Sequence, residues 1–591
     1  MFMRNTSSKL LSFFLLFGLI IMMSMTVQAK STYESENNDS YAVADKIDLG
    51  NSMTGVISSD NDSDYYKISP TENGKISISF KHTYEDSYDD WDINVYMYYD
   101  NSYTELSNVN VDLNSNEEIS IPYIGAVANR TYYICVTRCC SGIVGKKYTI
   151  TTSFNSSNYC EKEINNAFST ATKVALGHSY SGIINNEYDK DYYKIVPNSD
   201  GRISIRFNHT YEDSYDDWNV YIYRYVKGEY IELSSDNIDL NGNEIANLPY
   251  IGAVKNGIYY ICVSRCCSGA VGKNYTLKTE FTSSQYYEKE PNNVFGKATN
   301  IVLNNSYSGN INNTYDEDVY KIVAPMKGQL SVTFNHSYAD TYDDWDVYIY
   351  RYTKGTYLEL SNTNIDLNSR GKIILPTVGT VKNGVYYIKV CKCCSGVVGK
   401  NYTLSINFSF AGSAVFKVVS RSTNKLKIAW SKVADADGYQ LQRKSGNSYK
   451  TIANTTATSC NLSKLKIGTK YMFRVRAYKN VNGKKYYSTW KTLTTATLPG
   501  TPTLSVTAGT KKATLKWNKQ TGATGYIVYM ATSKNGIYKK VATVKGNSKI
   551  SYTKTGLTKG TTYYFKVAAY ETVGGKTIYS SYSAVKAVKV K

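Results

Sequence analysis

Histidine is scarce: His82, His178, His209 and His336 are the only four in 591 residues. None stands in the paired-histidine pattern of a zinc protease, and no Gly-x-Ser-x-Gly elbow is present. Hydrolytic catalysis of those kinds therefore has no residues to work with, and no enzyme is expected. Proline numbers nine, which leaves no stiff proline-rich spacer. Beyond residue 29 no apolar run is long enough to span a bilayer, so no transmembrane segment is expected after it. Acids nearly vanish from residue 411 onward, where Asp435, Asp437 and Glu571 face 33 Lys and Arg. That leaves 46 acids and 35 bases before residue 411, an acidic front of net −11 ahead of a basic back of net +30.

What is abundant is tyrosine, 58 residues against 16 Phe and 6 Trp. Strand formers, Asn, Ser and Gly fill most of the rest, the composition of short strands joined by turns. Residues 1–29 read as a secretory signal. Arg4 and Lys9 precede an apolar core from Leu10 to Met25, and Val27-Gln28-Ala29 is a small-residue cleavage site. The expected location is secreted, extracellular or cell-surface associated. In that setting the basic back suits an anionic cell-wall polymer, an acidic glycan or lipid headgroups rather than nucleic acid. A merely soluble, lysine-decorated surface is the plainer reading of the same charge.

The stretch His82 to Trp91, His-Thr-Tyr-Glu-Asp-Ser-Tyr-Asp-Asp-Trp, returns as His209 to Trp218 and, slightly changed, as His336 to Trp345. The step is 127 residues both times, which defines repeats at 30–155, 156–282 and 283–410. Within them Lys75 to Phe80 and Asp346 to Tyr350 alternate with period two. No helical period is seen. Each repeat reads as an antiparallel β-sandwich of about eight short strands, jelly-roll-like. The fold class expected for the chain is all-β, tandem antiparallel sandwiches.

The third repeat carries Glu290-Pro291-Asn292-Asn293, then Asp316-x-Asp318-x-Tyr320, an Asp-x-Asp-Val-Tyr-Ile-Tyr strand from Asp344, and a last Tyr-Thr-Leu strand. This resembles the bacterial pre-peptidase C-terminal domain, whose relatives include the collagen-binding domains of bacterial collagenases. The opening motif is intact only there; repeat two has Glu163-Ile164-Asn165-Asn166 and repeat one Glu36-Asn37-Asn38-Asp39. The family usually accompanies a peptidase, and none is recognisable in this sequence. Two further repeats, 411–498 and 499–591, share Trp430 with Trp517, Gly438-Tyr439 with Gly525-Tyr526, and Leu465-x2-Gly468-x2-Tyr471-x-Phe473-x-Val475 with Leu557-x2-Gly560-x2-Tyr563-x-Phe565-x-Val567. These resemble fibronectin type III sandwiches, with Tyr471 and Tyr563 as tyrosine corners.

Three groups of residues stand out as candidate sites. Oxygen side chains gather at the entry of each repeat and again about 25 residues later. They are Glu34, Glu36, Asn38, Asp39, Asp62 and Asp64; Glu161, Glu163, Asn165, Asn166, Asp189 and Asp191; and Glu288, Glu290, Asn292, Asn293, Asp316 and Asp318. A calcium ion takes about six to eight oxygens, and each set offers that many. In the resembling collagen-binding domains the entry segment and an Asp-rich turn jointly hold calcium, which implies a structural calcium here. A solvated acidic turn is the plainer reading.

The second group is the aromatic–acid loop, with Tyr84, Tyr88 and Trp91, Tyr211, Tyr215 and Trp218, and Tyr338, Tyr342 and Trp345 as candidate ligand-binding rings. Exposed rings beside carboxylates suit sugars or collagen-like peptides; alternatively each Trp plugs its sandwich. The third is cysteine, three to a repeat: Cys135, Cys139 and Cys140; Cys262, Cys266 and Cys267; Cys391, Cys393 and Cys394. Disulfides suit an exported chain. One bridge with one spare thiol per repeat and pairing between molecules both stay open. The reading is a secreted multi-modular protein that binds an extracellular polysaccharide or matrix protein. The alternative is a structural surface protein that self-assembles through calcium and cysteine.

Overall fold

The computed structural model describes residues 31–83, 90–112, 118–139, 144–209, 218–238, 245–266, 271–336, 344–365, 371–393 and 398–591. They are built almost wholly of strands; one short 3-10 turn, Phe295–Lys297, is the helical exception. No helix among them is long and apolar enough to cross a membrane. Contacts group the chain into two units. The first comprises Met1–Asn293, Gly309–Asp318 and Val397–Asn401; the second holds the remainder.

In the first repeat, two five-stranded sheets face one another. One runs in the order Ser31–Tyr33, Ser52–Val56, Lys147–Ser156, Gly74–His82, Glu118–Ala126, and the other Asp45–Lys46, Asp64–Ile68, Tyr132–Arg138, Asp90–Tyr99, Ser102–Asp112. The period-two alternation read from the sequence puts one face of each strand inward. Ile76, Ile78, Phe80, Trp91, Ile93, Val95, Ile134 and Tyr148 meet between the sheets as one core. The second repeat builds the same core from Ile203, Ile205, Phe207, Trp218, Val220, Ile261 and Tyr275.

The sheets are not purely antiparallel. Ser31–Tyr33 pairs parallel with Ser52–Val56 in one sheet, and Asp45–Lys46 pairs parallel with Asp64–Ile68 in the other. Residues 34–44 therefore strap across the sandwich edge, and residues 57–63 make the same crossing beside them. In the second repeat Thr172–Lys173 likewise pairs parallel with Lys190–Ile195, and Cys160 bridges Ser181 in parallel. Two crossings that run side by side bring the two acid clusters of each repeat together, although about 25 residues separate them.

A ring at the end of each strap anchors it. Tyr41 stacks on Tyr103 at 3.6 Å, Phe168 on Tyr230 at 3.7 Å and Phe295 on Tyr357 at 4.0 Å. The strap rings sit within tyrosines of the outer sheet face, Tyr65, Tyr96 and Tyr133 in the first repeat.

From residue 416 the chain forms two sandwiches of a three-stranded and a five-stranded sheet each. The backbone N–H of Lys466 donates to the Tyr471 hydroxyl at 2.9 Å, and that of Thr558 to Tyr563 at 3.3 Å. These are the tyrosine corners expected from the sequence. The same five-residue reach recurs in the acidic repeats, from Val127 to Tyr132 and from Val254 to Tyr259.

Candidate metal centre

The second repeat shows the site most fully. Its strap carries Glu161, Glu163 and Asn165, and the neighbouring crossing carries Asn185, Asp189 and Asp191; all six are buried. One carboxylate oxygen from each of Glu161, Glu163 and Asp191 lies within 4.8 Å of the other two. Calcium–oxygen distances near 2.4 Å would put opposed ligands about 4.8 Å apart, so the spacing fits such an ion.

Several hydrogen bonds fix Glu161, Asp189 and Asp191 and leave the second oxygen of each without a partner. The Ile183 N–H donates to Glu161 Oε2 at 3.0 Å, the Asn185 N–H to Asp189 Oδ2 at 2.7 Å and the Tyr275 hydroxyl to Asp191 Oδ2 at 2.6 Å. Tyr275 is hydrogen-bonded in turn to Tyr193 at 2.7 Å. Glu161 Oε1, Asp189 Oδ1, Asp191 Oδ1, Asn165 Oδ1 and Asn185 Oδ1 are buried with no hydrogen-bond partner. Among the described residues no Lys or Arg pairs with the four carboxylates. An unpaired buried charge is costly, and this donor set fits a hard divalent cation.

Burial pushes Glu161, Glu163 and Asp191 well above the usual carboxylate range, and the like charge of their neighbours adds to it. Burial also carries Asp189 up to about 6.

The third centre repeats the arrangement. Glu288, Glu290 and Asp318 bring oxygens within 4.8 Å of one another. The Asn310 N–H donates to Glu288 Oε1 at 2.9 Å and the Asn312 N–H to Asp316 Oδ2 at 2.7 Å. Burial raises Glu288, Glu290 and Asp316 well above the ordinary range, with neighbouring carboxylates adding to it.

The first repeat departs from the six-ligand expectation. Asn38, Asp62 and Asp64 are buried and Glu34 half-buried, but Glu36 and Asp39 are exposed. Asn166, expected as a ligand, is also exposed, beside Asp189, and Asn293 is half-buried. The Tyr148 hydroxyl bonds Asp64 and the Tyr66 hydroxyl bonds Glu34. Burial lifts Asp64 to about 8.

The physical reason lies in the preceding repeat. The Glu163 N–H donates to the Gly125 carbonyl at 2.9 Å, and the Glu290 N–H to that of Gly252 at 3.2 Å. Asn186 Nδ2 donates to the Leu106 carbonyl at 3.0 Å and Asn313 Nδ2 to that of Leu233 at 2.8 Å. Each complete centre is thus closed by the exit edge of the repeat before it. Among the described residues no such edge meets Glu36, and Ser58 and Ser59 stand where the later repeats have Asn185–Asn186 and Asn312–Asn313.

Glycine marks the contact. A Cβ on Gly125 would meet the Glu161 carbonyl oxygen at 2.6 Å, and one on Gly252 that of Glu288 at 2.3 Å; Gly379, one repeat on, has nothing within 4 Å. Gly252→Ala is expected to destabilise the chain by roughly 1–3 kcal/mol through overpacking and to weaken divalent-cation binding at the third centre. Gly379→Ala is expected within about 0.5 kcal/mol of the parent. Thermal unfolding with and without calcium checks the pair.

Sequence reasoning missed the tyrosines at the floor of the centres, Asn185 and Asn312, and the glycine carbonyls. Their signal was recurrence at the 127-residue step, which they share with the acids.

The tryptophan expectation is corrected. Trp91, Trp218 and Trp345 are wholly buried, each packed on a Phe and a Tyr of the core, so their indoles present no face to a ligand. Tyr84, Tyr88, Tyr211, Tyr215, Tyr338 and Tyr342 lie outside the described residues.

Among the cysteines, Cys135 and Cys262 are buried and unbridged. They sit on inner strands facing tyrosines, and burial pushes both thiols from 9.0 up to about 11. Two units mean about a hundredfold less thiolate, so Cys135 and Cys262 are expected to resist iodoacetamide until the chain is unfolded; peptide mapping of labelled protein checks this. Cys139, Cys266, Cys391 and Cys393 are half-exposed, with Asn237 Nδ2 donating to Cys266 Sγ at 2.9 Å. Cys140, Cys267 and Cys394 lie outside the described residues.

With this geometry in hand, the comparisons with known proteins bear on the basic half. Residues 414–492 and 499–586 match the fibronectin type III domain family. Two fibronectin type III domains therefore follow the three acidic repeats in an all-β, multi-domain chain. Chitinase A1 from Niallia circulans is 29% identical over 180 residues, which is 28% of this chain and 24% of the chitinase. The chain thus spans about a quarter of that relative's length. A two-domain fibronectin type III segment of chicken tenascin is 24% identical and covers 30% of this chain and 98% of that chain, with a TM-score of 0.22. The chicken interferon gamma receptor alpha chain is 17% identical, covering 30% and 99%, with a TM-score of 0.19.

Proposed function

We propose that this is an exported, multi-modular protein that binds an extracellular polymer. Its three acidic sandwiches are joined by structural calcium, and its basic fibronectin type III pair serves as spacer and wall-associating part. The observation that carries this is the pair of buried carboxylate centres closed by the preceding repeat. Glu161, Glu163, Asp189, Asp191, Asn165 and Asn185 would hold the second ion, and the matching residues the third. The ion's contribution is charge neutralisation that fixes each strap to the acid-bearing crossing beside it. Repeated copies suit a repetitive target, where one binding event raises the effective concentration for the next. The likeness to a chitinase favours an insoluble polysaccharide over a matrix protein as that target.

Self-assembly through the same junction is less well supported. The exit edge of the third repeat has Thr377 where Tyr123 and Tyr250 stand in the others, and the entry of the first has Ser58 and Ser59. Contact residues that differ at the first entry and the third exit disfavour the same junction at those two faces.

The test is co-sedimentation of the full chain with bacterial cell walls, chitin and insoluble collagen, in calcium and in EDTA. Saturable pelleting with one polymer that weakens in EDTA supports the reading. Pelleting without any polymer, or with none of the three, ends it.

A further inference from the structure

The exposed face of the five-stranded sheet in the first fibronectin type III domain carries an alternating series of rings and cations. Arg474 and Arg476 stand two apart on Lys470–Val481 and so project from one face. The Arg474 guanidinium lies 3.9 Å from the Tyr449 ring centre and 4.2 Å from that of Trp490. The Arg476 guanidinium lies 3.5 Å from Tyr487 and 4.3 Å from Trp490. Gln442 and Gln440 sit opposite the two arginines on the neighbouring strand, and their Oε1 atoms accept from the arginine Nε at 2.8 and 2.9 Å. Lys485 continues the series over Tyr478 at 4.6 Å.

Stacking and the glutamine bonds hold both guanidiniums in place, so little side-chain freedom is left to lose on binding. An arginine has five N–H donors, and the glutamine contact uses one on each. Neither arginine is ion-paired with a carboxylate among the described residues. The domain's acids are Asp435 and Asp437, and Asp437 is taken by Lys479 at 2.5 Å. The counter-charge must therefore come from outside the domain. With guanidiniums lying over it, Trp490 offers poor stacking to a neutral sugar, whereas two planar forks suit groups with paired anionic oxygens. Their spacing along the strand, about 6.8 Å, calls for closely repeated charges.

The second domain supplies an internal comparison. At a constant offset of 92 residues, Lys566 replaces Arg474, Ala568 replaces Arg476 and Tyr582 replaces Trp490. Lys566 lies 3.9 Å from Tyr582 and 4.3 Å from Tyr538, a single point charge without a fork.

We propose that Arg474 and Arg476, ordered by Tyr449, Trp490 and Tyr487, form a binding site for the phosphodiester groups of an anionic cell-surface polymer. This rests on the reading that the basic half associates with such a polymer. The experiment measures binding of the full chain to immobilised poly(glycerol phosphate) at low and high salt, with polygalacturonate and a sulfated glycan as competitors. Arg474→Gln with Arg476→Gln is expected to weaken binding at least about tenfold, and the charge-keeping Arg474→Lys with Arg476→Lys about fivefold, because the forks are lost. Lys566→Gln is expected to change it less than about twofold, as for a single point charge without a fork. Unfolding midpoints report whether each variant is folded; should the glutamine pair fail to fold, the lysine pair decides. If the parent chain binds and neither arginine pair weakens it, the site is wrong and the wall-association reading survives. If the parent binds none of the polymers, that reading fails first. Stronger competition by the carboxylate or sulfate polymer overturns the phosphodiester assignment.

Discussion

Millimolar calcium is expected to raise the unfolding midpoint of the chain, and EDTA to remove the gain. A ligand that binds only the folded state stabilises it by about 2.7 kcal/mol per site at a hundredfold excess over its dissociation constant. The second and third centres each gather four buried acids, which repel one another until a cation is present. The pH dependence separates the two states. Without calcium, Asp189, pushed from 3.8 up to about 6, and Asp64, pushed to about 8, hold protons in the fold that the unfolded chain releases. The folded state then binds more protons than the unfolded one, so stability falls as pH rises. The window runs from 3.8 to about 6 for Asp189 and to about 8 for Asp64. With calcium the sign reverses, because bound carboxylates must be ionised and the calcium increment grows with pH. Asp191→Asn sharpens the test. Relief of like charge is expected to raise the midpoint in EDTA, while the calcium response of the second centre is lost. Identical midpoints in calcium and EDTA across pH 5–8 would sink the cation reading.

Trp218→Ala is the most damaging single truncation expected in the second repeat, at about 3–5 kcal/mol. The indole is wholly buried, with ring centres of Phe207 at 5.4 Å, Tyr275 at 5.3 Å and His209 at 5.8 Å. Tyr275 in turn holds Asp191, so the cavity reaches the floor of the metal centre and calcium affinity should fall with stability. Trp218→Phe is expected to cost only about 1–2 kcal/mol, since the indole N–H has no partner to lose. Chemical denaturation gives the stabilities, and polymer pelleting gives the functional contrast. A ligand-stacking tryptophan would lose binding in Trp218→Phe while leaving stability intact; the core position predicts the reverse.

Tyrosine shows how far the sequence could be followed. Its excess over phenylalanine marked aromatic strands, and the strands are there. The reason for the hydroxyl was not visible. Tyr132, Tyr259, Tyr471 and Tyr563 use it to receive a backbone N–H five residues upstream. Tyr148 and Tyr275 use it to hold an aspartate. The acids were read as one set in three copies, yet Glu163 is buried and Glu36 exposed. The difference follows the contacts: the Gly125 carbonyl meets Glu163, and no such contact covers Glu36 among the described residues. Ser58 and Ser59 in the first copy and Thr377 in the third were the local signs of that.

The sequence by itself determined the all-β class, the 127-residue step, the two fibronectin type III domains and the acid-rich entry of each repeat, because alternation and recurrence are properties of neighbours along the chain. Only the tertiary structure decided which acids converge, that Trp91, Trp218 and Trp345 belong to the core, and that Arg474, Trp490 and Arg476 meet on one face. Burial and stacking depend on segments far apart in the chain, and no local pattern records which of them pack together.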